Sequence, residues 1–149
     1  MWNALVDTDP NYFNLIIRVV LGIVILPHGL QKTLGWFGGR GFKKQMAAFT
    51  DNMKIPWIFA LLAIIAESFG ALGLIVGLLG RVAALGVGCV MVVAIFKVHT
   101  KHGFFMNWGG AQKGEGYEFH LLAIAMALVV VLWGSGAWSL DLLLTSSGM

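Results

Sequence analysis

Eight side chains able to carry charge or pass protons stand inside, or at the edges of, four apolar stretches. They are Arg18, His28, Lys32, Glu67, Lys97, His99, Glu118 and His120. An ionisable group in hydrocarbon costs roughly 2.5–3.5 kcal/mol on insertion scales. Such groups are expected to face a protein interior and to touch one another, water or a ligand. Carboxylates and neutral imidazoles suit proton handling and hydrogen bonding. Where these residues converge is the default functional site.

The composition explains why those groups are exceptional. Of 149 residues, 58% are hydrophobic and 11% charged, against about 25% charged in soluble domains. This is the balance of an integral membrane protein. A formal charge of +3 is too mild to indicate nucleic-acid binding, and the basic residues have a better use as topology determinants. The lone cysteine, Cys89, excludes an internal disulfide and a CxxC motif and reads as a small packing residue. The first ten residues are acidic where a signal peptide is basic, so the first span is expected to remain in the mature protein.

The predicted spans are residues 12–34, 55–79, 82–98 and 117–133. Each is long enough, at about 1.5 Å per residue, to cross roughly 30 Å of hydrocarbon. Dyad alternation is missing, which disfavours barrel strands. The expected fold is an all-α membrane protein, one domain forming an up-and-down bundle of four transmembrane helices. Gly80-Arg81 is predicted as a tight turn, and residues 35–54 and 99–116 as long loops. Lys32, Arg40, Lys43, Lys44, Lys54, Lys97, Lys101 and Lys113 lie on the long-loop side, with Arg18 and Arg81 opposite. The positive-inside rule then places the long loops in the cytoplasm.

Trp36, Phe37, Trp57, Phe104, Phe105, Trp108 and Tyr117 mark one interface, and Tyr12, Trp133 and Trp138 the other. They read as aromatic belts. Trp108, in a Gly-rich segment beside the charged groups, is also a candidate stacking residue. Gly73/Gly77, Ala84/Gly88 and Ala123/Ala127 have the small-xxx-small spacing of close helix contacts, within the bundle or between copies.

Depth along each helix places six of the eight polar groups in the long-loop half, with Glu67 near the midplane as their floor. Lys32 follows His28 by one turn on the same face. Arg18 enters from the opposite side and is expected to pair with Glu67; a neutral Glu67 that exchanges protons is the alternative. If they pair, each single change to leucine costs more than the double change. Pro27 removes a backbone bond to the Ile23 carbonyl, either as a tolerated kink or as an opening beside the site. The three histidines at 28, 99 and 120 invite a metal or haem reading, but HxxxH and ExxH spacings are missing. No metal site is expected, and haem is disfavoured.

Arg18-Val19-Val20-Leu21-Gly22 with His28-Gly29-Leu30-Gln31-Lys32 resembles the first-helix signature of the DoxX family. Glu67-Ser68-Phe69-Gly70 and Gly77-Leu78-Leu79-Gly80-Arg81 resemble its second helix and turn. Val98-His99, Gly103-Phe104-Phe105 and Gly116-Tyr117-Glu118-Phe119-His120 resemble its third- and fourth-helix boundaries. The resemblance implies a small four-helix protein of a bacterial or archaeal plasma membrane and, more loosely, a quinone-linked redox role. On that reading His28, Lys32, Arg18 and Trp108 bind the quinone, while Glu67, His28, His99, Glu118 and His120 handle protons. With no thiol pair, flavin motif or iron–sulfur ligands, electrons must come from another membrane or peripheral redox subunit. The competing expectations are an assembly or anchoring subunit of a larger complex, and a small ion carrier that needs homo-oligomers.

Overall fold

The computed structural model describes residues 2–146, and every regular element among them is helical. Three helices are long and apolar enough to cross a membrane: α2 (Tyr12–Thr33), α4 (Trp57–Val76) and α5 (Gly80–His102). A shorter apolar helix, α6 (Glu118–Trp133), follows. The minor helices are α1 (Trp2–Val6), α3 (Gly41–Ala47) and α7 (Leu140–Ser146). By helix length and composition the chain is a multi-pass membrane protein.

The helix surfaces are arranged for lipid. On α2, Asn14, Arg18, Leu21, Gly22, Ile25 and Gly29 are buried, a stripe at helical spacing. Phe13, Ile16, Val20 and Ile23 form an exposed stripe on the same helix. An apolar outer face is stable only if its solvent is hydrocarbon. One core draws from all four long helices: Leu21 and Ile25, Ala71 and Leu74, Ala84 and Val87, Ala127 and Val130. α2 packs most extensively on α4, and α5 on α6. A Cβ at Gly88 would lie 3.5 Å from Ala127 Cβ, so these small residues pack within the chain.

Several boundaries differ from the sequence reading. The predicted loop 35–54 contains α3, extended by a π-helical turn at Ala48–Asn52. Met46 of α3 packs with Ala60 and Ile64 of α4. The tight turn lies at Gly77–Leu79 rather than Gly80-Arg81. Gly77 ends α4 with φ +70° and Leu79 follows at φ +50°. Gly77 is therefore a helix cap, and the close approach it permits is to Ser139, which a Cβ would strike. Glycine adopts that backbone freely, and a Cβ there would come within 3.0 Å of Arg18 Cζ. Pro27 sits inside the unbroken α2. Two more π-helical turns interrupt the long helices, Ala66–Gly70 in α4 and Ile95–His99 in α5.

The end of the protein holding this turn is closed by side chains that satisfy helix termini. Arg18 is 0% exposed. Its Nε donates to the Ser135 carbonyl at 2.7 Å, Nη1 to Leu74 and Ile75 at 2.8 and 2.6 Å, and Nη2 to Ala137 and Trp138 at 3.1 and 2.8 Å. Leu74 and Ile75 belong to the last turn of α4, whose carbonyls lack helical donors and carry the negative end of the dipole. Asp141 of α7 does the converse for α5. It accepts from the Leu79 and Gly80 amides at 2.7 and 2.9 Å and from Ser135 Oγ at 2.6 Å. Arg81 Nη1 donates to Val131 and Leu132 at the end of α6, and Asn14 Nδ2 donates to Trp133.

The expected Arg18–Glu67 pair does not form. Arg18 points to the capped end, and Glu67 pairs with Lys32 at 2.6 Å. Arg18 and Glu67 share no partner, so their stability losses are expected to add. Arg18→Leu is expected to cost about 3–5 kcal/mol by orphaning buried acceptors. A detergent unfolding series on Arg18→Leu, Glu67→Leu and the double variant measures this; a double variant as stable as either single variant would contradict the assignment.

Candidate functional site

From the Gly77–Leu79 turn toward the other end the helices leave a groove of about 1180 Å³, walled mainly by α4 and α5. Its lining is largely apolar. Phe59, Leu62, Phe69 and Val82 border it and are exposed on the outer surface, so the groove opens sideways, toward lipid. Its inner wall comes from α2 and α6, and Arg40 and Gln45 approach from the α3 end. A cavity of this size exceeds a typical small-ligand pocket of about 300–1,000 Å³ and suits a long amphipathic molecule.

The polar groups concentrate at one part of this wall. His28, Lys32, Glu67, His99 and His120 all line the groove. Glu67 is 4% exposed, and its carboxylate faces the Lys32 ammonium. Gly29 lets α2 approach the π-helical turn that carries Glu67, because a Cβ there would collide with the Glu67 and Ser68 backbone. That approach brings Lys32, one turn further along, to the carboxylate.

The histidines form a second group. The His99 and His120 rings lie 4.1 Å apart, inclined by 42°. Phe119 stands beside both His28 and His120, at 6.1 and 5.5 Å between centroids. His99 Nδ1 lies 2.8 Å from the Glu115 carbonyl. A carbonyl only accepts, so Nδ1 carries the proton in that bond. His120 is 7% exposed, and its Nδ1 has no hydrogen-bond partner. A buried unpaired polar atom costs about 1–3 kcal/mol. Among the described residues no group of three His, Cys, Asp or Glu is placed to hold a metal ion.

Other sequence candidates lie elsewhere. Arg18 is enclosed at the capped end. Glu118 Oε1 accepts from the Met106 amide at 2.9 Å and Trp108 Nε1 at 3.3 Å, so Glu118 holds the loop before α6. Trp108 is 88% exposed and outside the groove lining. Lys97 is exposed. Cys89, read from sequence as a small packing residue, is exposed and borders the groove. Sequence reasoning passed over Glu115 and Met106, both at the groove. The only signal for Glu115 was a carboxylate between two glycines.

The Lys32–Glu67 contact predicts a coupling opposite to that of Arg18 and Glu67. Lys32→Met is expected to destabilise more than the Lys32→Met/Glu67→Leu double variant, because the single change leaves a buried carboxylate alone. A double-mutant cycle in detergent should give an interaction of about 1–3 kcal/mol; strict additivity would show that the ion pair is absent.

A DoxX family model matches residues 13–100, a span that takes in almost all of α2, the whole of α4 and most of α5. No curated protein matches the chain, and no solved structure does. Arg18, His28, Lys32, Glu67, Arg81 and His99 all fall inside the matched span. Arg18 and most of the polar groove wall thus lie in family sequence, while Asp141, the 135–138 carbonyls and His120 lie beyond the match: the chain belongs to the DoxX family.

Proposed function

We propose that this protein is the membrane subunit of a quinone-linked redox system, a bundle of four transmembrane helices that holds the quinone in the α4–α5 groove. The observation that carries this reading is the groove itself: apolar over most of its length, open toward lipid, and ending at His28, Lys32, Glu67, His99 and His120. The fit is chemical as well as spatial. A quinone needs an apolar slot for its tail and hydrogen-bonding groups for its two oxygens. His28 and Lys32 supply donors, and the unpartnered His120 Nδ1 supplies a site whose tautomer suits either a carbonyl or a hydroxyl oxygen. When bound, the quinone supplies two-electron, two-proton redox chemistry. His99, Glu67 and His120 are placed to hold or pass protons at the polar wall.

Electrons must come from a partner, a membrane or peripheral redox subunit, since the chain carries one cysteine and no redox cofactor motif. We place the protein in a bacterial or archaeal plasma membrane with the long connections in the cytoplasm. The exposed Arg40, Lys43 and Lys44 around α3 support that orientation. The second reading is a non-catalytic assembly or anchoring subunit, favoured by the fully bonded Arg18 and Asp141 networks, which are purely structural.

Purification in mild detergent followed by organic extraction separates the two. Near-stoichiometric quinone, recognised by its ultraviolet spectrum and bleaching on reduction, is expected from the wild type and is expected to fall in His28→Ala. Extracts containing only phospholipid, with a stable protein partner co-purifying, would instead establish the assembly role.

A further inference from the structure

We infer that the groove binds its ligand in one orientation: an uncharged ring head against His120 at the polar wall, and an apolar tail running along α4 and α5 toward the Gly77–Leu79 turn. This deepens the quinone reading and rests on it for the identity of the head.

The groove is asymmetric along its length. Its titratable lining residues other than Cys89 are His28, Lys32, Arg40, Glu67, Glu115 and the His99–His120 pair, all in the part away from the turn. From Phe69 to Val82 the lining is apolar or glycine. Glu67 to Val76 is nine residues of helix before the turn, about 14 Å at the helical rise. A tail of that reach has an apolar track; a polar head at the turn end would have no partner, because Arg18 and Asp141 are occupied by backbone groups.

Charge and hydrogen bonding then select the head. At the inner wall Lys32 is already paired with Glu67 at 2.6 Å, and the other lining cation, Arg40, stands exposed at the α3 end, away from His120. An anionic head meets no free cation at the inner wall, and desolvating it there is costly. What the wall does offer is His120 Nδ1, buried and unpartnered. An imidazole nitrogen donates in one tautomer and accepts in the other, so it serves a ring carbonyl and a ring hydroxyl alike.

The test is equilibrium binding to the full chain in phosphatidylcholine nanodiscs, read by quenching of tryptophan fluorescence. The probes are a decyl-tailed benzoquinone, the same ring with a long isoprenoid tail, and a decyl-tailed carboxylate as competitor. His120→Leu is expected to weaken decyl-benzoquinone binding about tenfold, the effect of one buried hydrogen bond, and His120→Asn to recover most of it. Ala83→Phe, in the tail track and remote from the head, is expected to weaken the long-tailed probe at least tenfold more than the decyl probe. Equal affinities in wild type and His120→Leu, equal effects of Ala83→Phe on both tails, or full competition by the carboxylate would each overturn the inference. If no quinone binds the wild type, the quinone identity falls, and a decyl-tailed phenol judges the orientation with the same variants. A phenol insensitive to His120→Leu, or itself unbound, overturns it as well.

Discussion

An arginine inside a protein keeps its charge and presents five N–H donors in a fixed fork. Buried at position 18, it must find acceptors for all of them, and among the described residues no carboxylate is bonded to it. It finds them in carbonyls from two places far apart in sequence: the last turn of α4 and the segment joining α6 to α7. This one residue ties the first long helix to the end of the second and to the chain beyond the fourth. Asp141 completes the arrangement from the opposite electrical sense, since its carboxylate meets the exposed amides that begin α5. Cation at a helix C-terminus and anion at a helix N-terminus is the favourable pairing with both dipoles.

Closing one end in this way leaves freedom at the other. The long helices are tied together where Arg18, Asp141, Arg81 and Asn14 act, and α4 and α5 part toward the side carrying α3 and the 103–117 loop. The parted walls are apolar because they face lipid, and they end at Lys32, Glu67 and the histidines because α2 and α6 present those residues inward. Gly29 matters here as a spacer that is missing a side chain. Without its close approach to the Glu67 backbone, Lys32 would not reach the carboxylate.

Much of this was legible in the residues alone. Apolar run length gave three membrane-crossing helices and a shorter apolar one, and His28, Lys32, Glu67 and His99, grouped by the rise per residue, all line the groove. The Arg18–Glu67 pairing failed on height: Gly29, eleven residues past Arg18 on the same buried stripe of α2, is the residue that stands at Glu67, while Arg18 stands at Leu74 and Ile75. Glu118 was misplaced by direction instead: the first residue of a helix can point back to the loop before it, and this one does. The α3 helix was hidden because seven residues give too short a pattern for periodicity to register. The caps were invisible in sequence, since their side chains meet backbone carbonyls and amides, which mark no particular residue.

The π-helical turns carry a consequence for how such a protein can diverge. Each holds one residue more than an α-helix needs in that stretch, and such turns recur at functional sites. Here two of them carry Glu67 and His99. The widened turn absorbs that residue, so losing it would restore α-helical winding there and leave the side chains beyond in register. Single-residue insertions and deletions at these turns therefore offer related chains a fine dial: the membrane span and the rest of the groove wall survive, while the side chain presented at the turn itself is exchanged.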